Sequence, residues 1–298
     1  MPPAFQRIGL ISKAHPSVSP TLERLLASLR QAGREVLLDP VAAGLLPEAG
    51  LPGLEAVELA SQVDLLISVG GDGTLLGAAR LLVDLKAALL GINLGRMGFL
   101  ADISPSAMEM HLAQILAGNY QVEQRFLLQI ETRRGGLLRH RELALNDAVF
   151  HKWNTARLIE FETLVNDRFV DLQRSDGLIV ATPTGSSAYA LSAGGPLIEP
   201  SLDALLLVPI CPHTISNRPI LVSGDSRIEL RVCGTTDPAQ VRISCDGQAQ
   251  LAIAQDETLH ISRYPNPIRL IHPSGQDFFD IIRTKLGWGK HRENSSPC

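Results

Sequence analysis

The sequence predicts an α/β half built on a parallel sheet, followed by a mainly β half and a helical tail that returns to the first. Three observations carry that division. Short apolar runs alternate with helical stripes up to about Asn119, the pattern of parallel strands joined by crossover helices. From Tyr120 to about Ile271 the runs are short, separated by Gly, Pro, Asn and Asp, and long helical stripes are missing. The tail, with Phe278, Phe279, Ile282, Leu286 and Trp288, resumes helical spacing. The expected domains are 1–119 with 272–298, and 120–271, in a chain of 298 residues, a length that suits two domains.

Arg7 to Ile11 reads as a first strand. Ser19-Pro20-Thr21 opens a helix with Leu22, Leu25, Leu26 and Leu29 on one face and Gly33 as its stop. Glu35 to Leu38 is a second strand, and residues 40–53, rich in Pro, Gly and Ala, read as a loose connection. After a short helix, Val63 to Val69 is an apolar, partly β-branched run entering Gly70-Gly71-Asp72-Gly73-Thr74, and Leu75, Leu76, Ala78, Ala79 and Leu82 then space a helix. The strand Ala88 to Ile92 leaves through a glycine-rich segment, Gly91 to Leu100, that includes Arg96 and Met97. A helix at Ser106 to Ala117 follows, where Ser106 and Glu109 fit a capping box. In the second half, strands are expected at Phe126 to Ile130, Leu158 to Val165, Leu178 to Ala181, Leu205 to Val208, Ile228 to Val232, Val241 to Ser244 and Thr258 to Ile261.

Composition narrows the function classes. Hydrophobic content of 45% and a mean hydropathy of +0.12 describe an ordinary globular chain. A net charge of −4 gives no basic footprint for nucleic acid or anionic membrane. The start, Met1-Pro2-Pro3-Ala4-Phe5, has no charged n-region with an apolar core, and no apolar run reaches the ~18 residues of a membrane span, so a cytoplasmic location is expected. Cys211, Cys233, Cys245 and Cys298 show no C-x-x-C spacing. They read as reduced thiols, buried except for terminal Cys298.

The Gly70 to Thr74 turn is the chemical centre of the first half. Glycines there allow positive φ and a close ligand, and a helix start adds N–H donors and partial positive charge that suit a phosphate. Gly70, Gly71, Gly73 and Thr74 are thus a candidate phosphate loop. Asp72 is the odd member: beside an anion it costs repulsion unless it binds a metal ion or takes a proton from a nucleophile, both tasks of phosphoryl transfer. The plainer alternative is a tight turn with Asp72 as helix N-cap. A dinucleotide fingerprint fails because Leu76 stands where its third glycine belongs, and no Walker loop occurs. The string resembles the signature shared by NAD kinases, diacylglycerol and sphingosine kinases and, more loosely, 6-phosphofructokinases.

Four clusters in the β half bear on the acceptor. Asn146-Asp147 can hold a sugar diol or form an Asx turn. Arg174 and Asp176, two apart, are expected on one strand face, either as a surface ion pair or as ligands of a pyrophosphate and a carboxamide. Ala181 to Pro196, with Thr182, Thr184, Ser186, Ser187, Ala188, Tyr189, Ala190, Leu191 and Ser192, makes a polar pocket floor with Tyr189 free to pack on an adenine. A serine-hydrolase elbow there meets Tyr189 where glycine is required. Pro209 to Thr214 reads as a rigid turn, with His213 hydrogen-bonded to backbone.

Together these clusters resemble bacterial NAD kinases, from about Val63 to Trp288. The resemblance implies an N-terminal α/β domain, a C-terminal β-sandwich-like domain, and transfer of the γ-phosphate of ATP to the 2′-hydroxyl of the adenosine ribose of NAD. It implies Asp72 as base, Gly73 against the ligand, and Asn146 with Asp147 on the ribose. Arg157, Arg174, Asp176, Thr184, Ser187 through Ser192 and Gln248 fall at the family's other ligand positions. A divalent cation, normally Mg²⁺, accompanies ATP, and a homodimer or homotetramer whose sites borrow from a neighbour is expected; no metal ligand is assigned within the chain. The sequence departs from many relatives in having Asp147 for Glu and Ser187 for Thr. A lipid or sugar kinase on the same turn, or an NAD(P)-binding sensor without chemistry, are the alternatives.

Overall fold

The computed structural model of the protein describes residues 5–95, 98–101, 103–275 and 277–288. The first four residues, Arg96, Met97 and Cys298, all named above, lie outside them. The chain divides into two compact units, 1–124 with 268–298, and 125–267.

In chain order the first unit holds β1 (Arg7–Ser12), α1 (Ser19–Gln31), β2 (Glu35–Leu38), α2 (Pro40–Leu45), α3 (Ala56–Ser61), β3 (Leu65–Gly70), α4 (Asp72–Leu81), β4 (Ala88–Asn93), α5 (Met108–Leu116) and β5 (Tyr120–Arg125). The second holds β6 (Leu128–Arg134), β7 (Leu137–Ala144), β8 (Asp147–Lys152), β9 (Ile159–Val165), β10 (Arg168–Ser175), β11 (Gly177–Ala181), α6 (Tyr189–Ser192), β12 (Ala204–Ile210), β13 (Ile220–Ser223), β14 (Ile228–Val232), β15 (Val241–Cys245), β16 (Ala249–Ala252) and β17 (Glu257–Arg263). The chain then returns to the first unit with β18 (Ile268–Pro273) and α7 (Phe278–Leu286).

The first sheet runs β2-β1-β3-β4-β18-β5, with β1 parallel to β2 and β3, and β4 parallel to β3 and β18. Every residue of β3 and β4 is buried, as a strand covered on both faces requires. Leu22, Leu25 and Leu29 of α1 pack with Leu10, Ile67 and Leu90 of the sheet and Ile115 of α5 in one core. Because β5 and β18 both join this sheet, the boundaries sit a few residues from those expected.

Two local expectations are corrected. Residues 40–53 are not uniformly loose, because Asp39 Oδ1 accepts the Ala42 N–H at 2.7 Å and Pro40 occupies the first turn, so cap and proline start α2. The capping box does not form: α5 begins at Met108, and the Ser106 hydroxyl pairs with that of Ser104. Glu109 turns instead to Arg24 of α1 in a bidentate pair, each bond 2.7 Å, which joins the two helices.

The second unit is two antiparallel six-stranded sheets, β10-β9-β14-β17-β6-β7 and β13-β12-β11-β8-β15-β16. Their inner faces meet: Phe150 of β8 and Phe161 of β9 stack edge to face at 4.9 Å, in a core with Ile130, Val180, Leu207 and Leu259. The outer face of the second sheet is covered by residues 190–198, through Ala190 and Ile198 against Ile179, Leu206 and Val208. That double burial explains the unbroken apolar run of β11. β7 and β10 were missed in the sequence because most of their residues are exposed and polar and apolar residues do not alternate along them. Cys245 is buried as expected, whereas Cys233 is only half-buried and Cys211 is exposed, in the turn that follows β12.

Candidate active site

In the first unit, β3 ends at Gly70 and α4 starts at Asp72, with Gly71 as N-cap. Asp72 is therefore the first helical residue, not the cap. Its carboxylate turns to the segment after β4: Oδ2 accepts the Phe99 N–H at 3.1 Å, and Oδ1 accepts those of Leu100 and Ala101 at 3.4 and 3.2 Å. A carboxylate offers about four lone-pair sites, so three backbone donors fix its orientation and leave about one for a substrate hydroxyl.

Glycine is needed here for closeness, not for positive φ, which none of Gly70, Gly71 and Gly73 adopts. A Cβ on Gly70 would stand 2.3 Å from Thr74 Oγ1, and one on Gly98 would stand 1.9 Å from Asp72 Oδ1. Gly98 thus brings the donor segment onto the acid. The glycine-rich segment after β4 is the wall that holds Asp72, a partnership 27 to 29 residues long that spacing could not reveal.

The second unit contains a cavity of about 520 Å³. Asn146 and Asp147 line it from the start of β8, His151 and Lys152 from its end, Asp176 from the β10–β11 connection, and Ala188 and Tyr189 from the start of α6. Ser244, Asp246 and Gly247 close it from the β15–β16 hairpin, with Val149 and Ile210 as apolar wall.

Asp246 accepts the N–H groups of Leu145 at 3.0 Å, Asn146 at 2.7 Å and Asp147 at 3.3 Å. From the other side Thr182 Oγ1 donates to Leu145 O at 2.6 Å, and the Thr182 N–H donates to Asn146 O at 2.9 Å. Asn146 Oδ1 is buried with no partner, an acceptor awaiting a donor. Asp147 is buried, and burial first, then the Asp246 charge, pushes its carboxyl pKa up from 3.8 to about 7.

That shift has a consequence for stability. Between about pH 4 and 7 the folded chain keeps the Asp147 proton while the unfolded chain has lost it, so stability falls as pH rises through that window and levels above it. Asp147→Asn is expected to shrink the stability difference between pH 5 and pH 7.5, measured by urea unfolding. An unchanged difference would place the titrating group elsewhere.

The hydroxyl-rich run behaves differently from a pocket floor. Thr184 Oγ1 is held by Arg125 Nη1 at 3.0 Å, Ser187 Oγ donates to Thr184 O, and Ser186 Oγ donates to Pro183 O. These hydroxyls knit the segment together, and Ala188 and Tyr189 face the cavity, with the Tyr189 ring exposed. Ala190 is buried in the outer core, Leu191 is half-buried and Ser192 exposed.

Arg174 and Asp176 do not share a strand face. β10 ends at Ser175, whose hydroxyl accepts the Gly177 N–H, and the chain passes there to the other sheet. Arg174 faces Glu160 of β9 at 3.7 Å, outside the cavity, whereas Asp176 pairs with Lys152 Nζ at 2.6 Å inside it. Arg157 lies exposed between β8 and β9, and Gln248 is exposed beside Gly247. The His213 backbone N–H donates to Arg174 O at 2.9 Å in the expected turn. Sequence reasoning missed His151, Lys152, Ser244, Asp246 and Gly247. Only Asp246-Gly247 carried a signal, that of a hairpin turn.

Residues 55–120 match the model of the ATP-NAD kinase N-terminal domain, and residues 145–273 match that of the C-terminal domain. The chain belongs to the ATP-NAD kinase family. Its activity is that of an NAD kinase, a phosphotransferase with an alcohol acceptor. The NAD kinase of Teredinibacter turnerae is 47% identical over 98% of this chain and 99% of its own, and that of Alcanivorax borkumensis is 46% identical over 95% and 94%. Among solved structures, an NAD kinase from Archaeoglobus fulgidus in complex with ATP has a TM-score of 0.72 at 27% identity, covering 97% of this chain and all of that one. Yeast NADH kinase complexed with NADH shares the fold, with a TM-score of 0.87 at 23% identity, covering 100% and 90%.

Proposed function

We propose that this NAD kinase transfers the γ-phosphate of ATP to the 2′-hydroxyl of the adenosine ribose of NAD, giving NADP and ADP. The observation that carries the reading is the Asp72 carboxylate, held by three consecutive N–H groups with acceptor capacity to spare. As the ribose oxygen attacks the γ-phosphorus, its proton passes to Asp72 and the bond to the ADP oxygen breaks. The Gly70 to Thr74 turn and the start of α4 receive the phosphates. Asn146 Oδ1 and the Asp147 carboxyl hold the ribose; with a pKa of about 7, Asp147 can donate to or accept from a sugar hydroxyl near neutral pH. Asp176, Ala188 and Tyr189 contact the rest of the dinucleotide.

Among the described residues no three His, Cys, Asp or Glu side chains form a metal-binding group. A Mg²⁺ carried in on the triphosphate would supply neutralisation of phosphate charge. Arg157 and Arg174 are exposed and outside the cavity; in the proposed homo-oligomer they would serve a neighbouring site. The proposed location is the cytoplasm; no described helix is long and apolar enough to cross a membrane.

The assay is NADP formation from NAD, ATP and Mg²⁺, with NADH, diacylglycerol and fructose 6-phosphate as competing acceptors and polyphosphate as a second donor. NAD with ATP is expected to give NADP. Ligand binding without ATP consumption, or preference for the lipid or sugar, would refute the proposal.

A further inference from the structure

We propose that Asp246 is a positioning residue for the acceptor, shaping the 145–147 backbone so that Asn146 and Asp147 present their side chains to the ribose. The inference rests on the assignment of those two residues to the ribose and adds what holds them there.

Three successive N–H groups converge on one carboxylate, and the Asp246 N–H returns the contact by donating to Asp147 O at 3.0 Å. Hairpin tip and strand start are thereby joined by four hydrogen bonds, three of them charge-assisted. With Thr182 bonded to the carbonyls of Leu145 and Asn146, the backbone of this short stretch is held from both sides. What remains unpaired is Asn146 Oδ1, buried in a residue that lines the cavity. The arrangement repeats that at Asp72, where an acid collects three successive N–H groups. At Asp72 the acid is the working group; at Asp246 the working groups are the Asn146 and Asp147 side chains carried by the backbone it holds.

A plain turn role is separable from this one. Asp246 has φ +51° and Gly247 φ +64°, a left-handed pair that Asn or Gly at position 246 would form equally well. The carboxylate matters only if its two oxygens organise the 145–147 segment. Asp246→Asn keeps the turn but places an NH₂ where an acceptor oxygen was; Asp246→Gly keeps the turn and removes every acceptor. The other titratable side chains lining the cavity, Asp147, His151, Lys152, Asp176 and Tyr189, are kept, although Asp147 loses the negative charge beside it.

The test measures KM for NAD, KM for ATP and kcat in the full chain for wild type, Asp246→Asn, Asp246→Gly and Asn146→Ala, with thermal unfolding alongside. KM for NAD is expected to rise about tenfold in Asp246→Asn and further in Asp246→Gly, with KM for ATP within about twofold of wild type. Equal KM for NAD in wild type and both Asp246 variants, with Asn146→Ala impaired, overturns the role of Asp246 and leaves the ribose assignment standing. If Asn146→Ala is also unimpaired, the ribose assignment itself fails. A parallel loss of NAD and ATP parameters with folded protein would mark a scaffold residue and equally overturn the proposal.

Discussion

Asp72→Asn is expected to lower kcat at least about 100-fold while leaving NAD affinity within about twofold. Asparagine has nearly the same shape, so the substitution isolates the loss of basicity. Its single carbonyl oxygen can still serve the Leu100 and Ala101 N–H groups, but its NH₂ then faces the Phe99 N–H, and one of three hydrogen bonds goes. Losing that bond costs about 1–3 kcal/mol of stability, too little to unfold an ordinary domain. A ribose hydroxyl is a poor nucleophile at neutral pH, and a positioned base contributes about 10² to 10⁴ in rate. Steady-state kinetics with calorimetric NAD titration separates the two effects, and full turnover in the variant would remove Asp72 from the base role.

Gly98→Ala is expected to lower kcat by a comparable factor, about 100-fold, although residue 98 supplies no functional group. A methyl group there would stand 1.9 Å from Asp72 Oδ1 and 2.7 Å from its Cγ, inside contact distance for both. Either the carboxylate rotates or the segment lifts, and both break the hydrogen bonds from Phe99, Leu100 and Ala101. A displacement of about 1 Å at a reacting group can cost about 100-fold. Because the two residues act on one geometry, the Asp72→Asn/Gly98→Ala double variant should be scarcely slower than Asp72→Asn alone. Independent, multiplying losses would show that Gly98 acts elsewhere. Circular dichroism and the unfolding midpoint should show a folded protein, since the clash falls on a half-buried acid and not on the core.

The strand, glycine turn and helix around Asp72 were legible because burial on both faces writes an unbroken apolar run and an amphipathic helix writes its own period. The same logic found β9, β11, β12, β14, β15 and β17, which line the sandwich core. It failed at β7, β10 and β13, whose residues are mostly exposed, and at α2, where one cap and one proline decided a helix of six residues. Burial alone was not enough either, since β8 and β18 are mostly buried and were also missed, β8 because its start at Asn146-Asp147 read as a turn or a sugar site. Of the residues that line the cavity, the sequence singled out Asn146, Asp147, Asp176, Ala188 and Tyr189 and not His151, Lys152, Ser244, Asp246 or Gly247, and it carried no sign of the partnerships. Asp72 depends on backbone 27 to 29 residues away, and Asn146 with Asp147 on Asp246 about a hundred residues away. Neither can be seen from local spacing. Arg174 and Asp176 were assigned to one face by the two-residue period of a strand, a period that ends at Ser175 where the chain changes sheets. The hydroxyls of Thr182, Thr184, Ser186 and Ser187 suggested a ligand surface by their number, yet they satisfy backbone groups and Arg125.

The central claim is that Asp72 takes the proton as the γ-phosphate reaches NAD. It is tested most directly by single-turnover transfer of labelled γ-phosphate from ATP to NAD, with enzyme in excess and both substrates bound, in wild type and Asp72→Asn. Labelled NADP is expected from both proteins, formed at least about 100-fold more slowly in the variant. Label reaching NAD at the wild-type rate in the variant would contradict it.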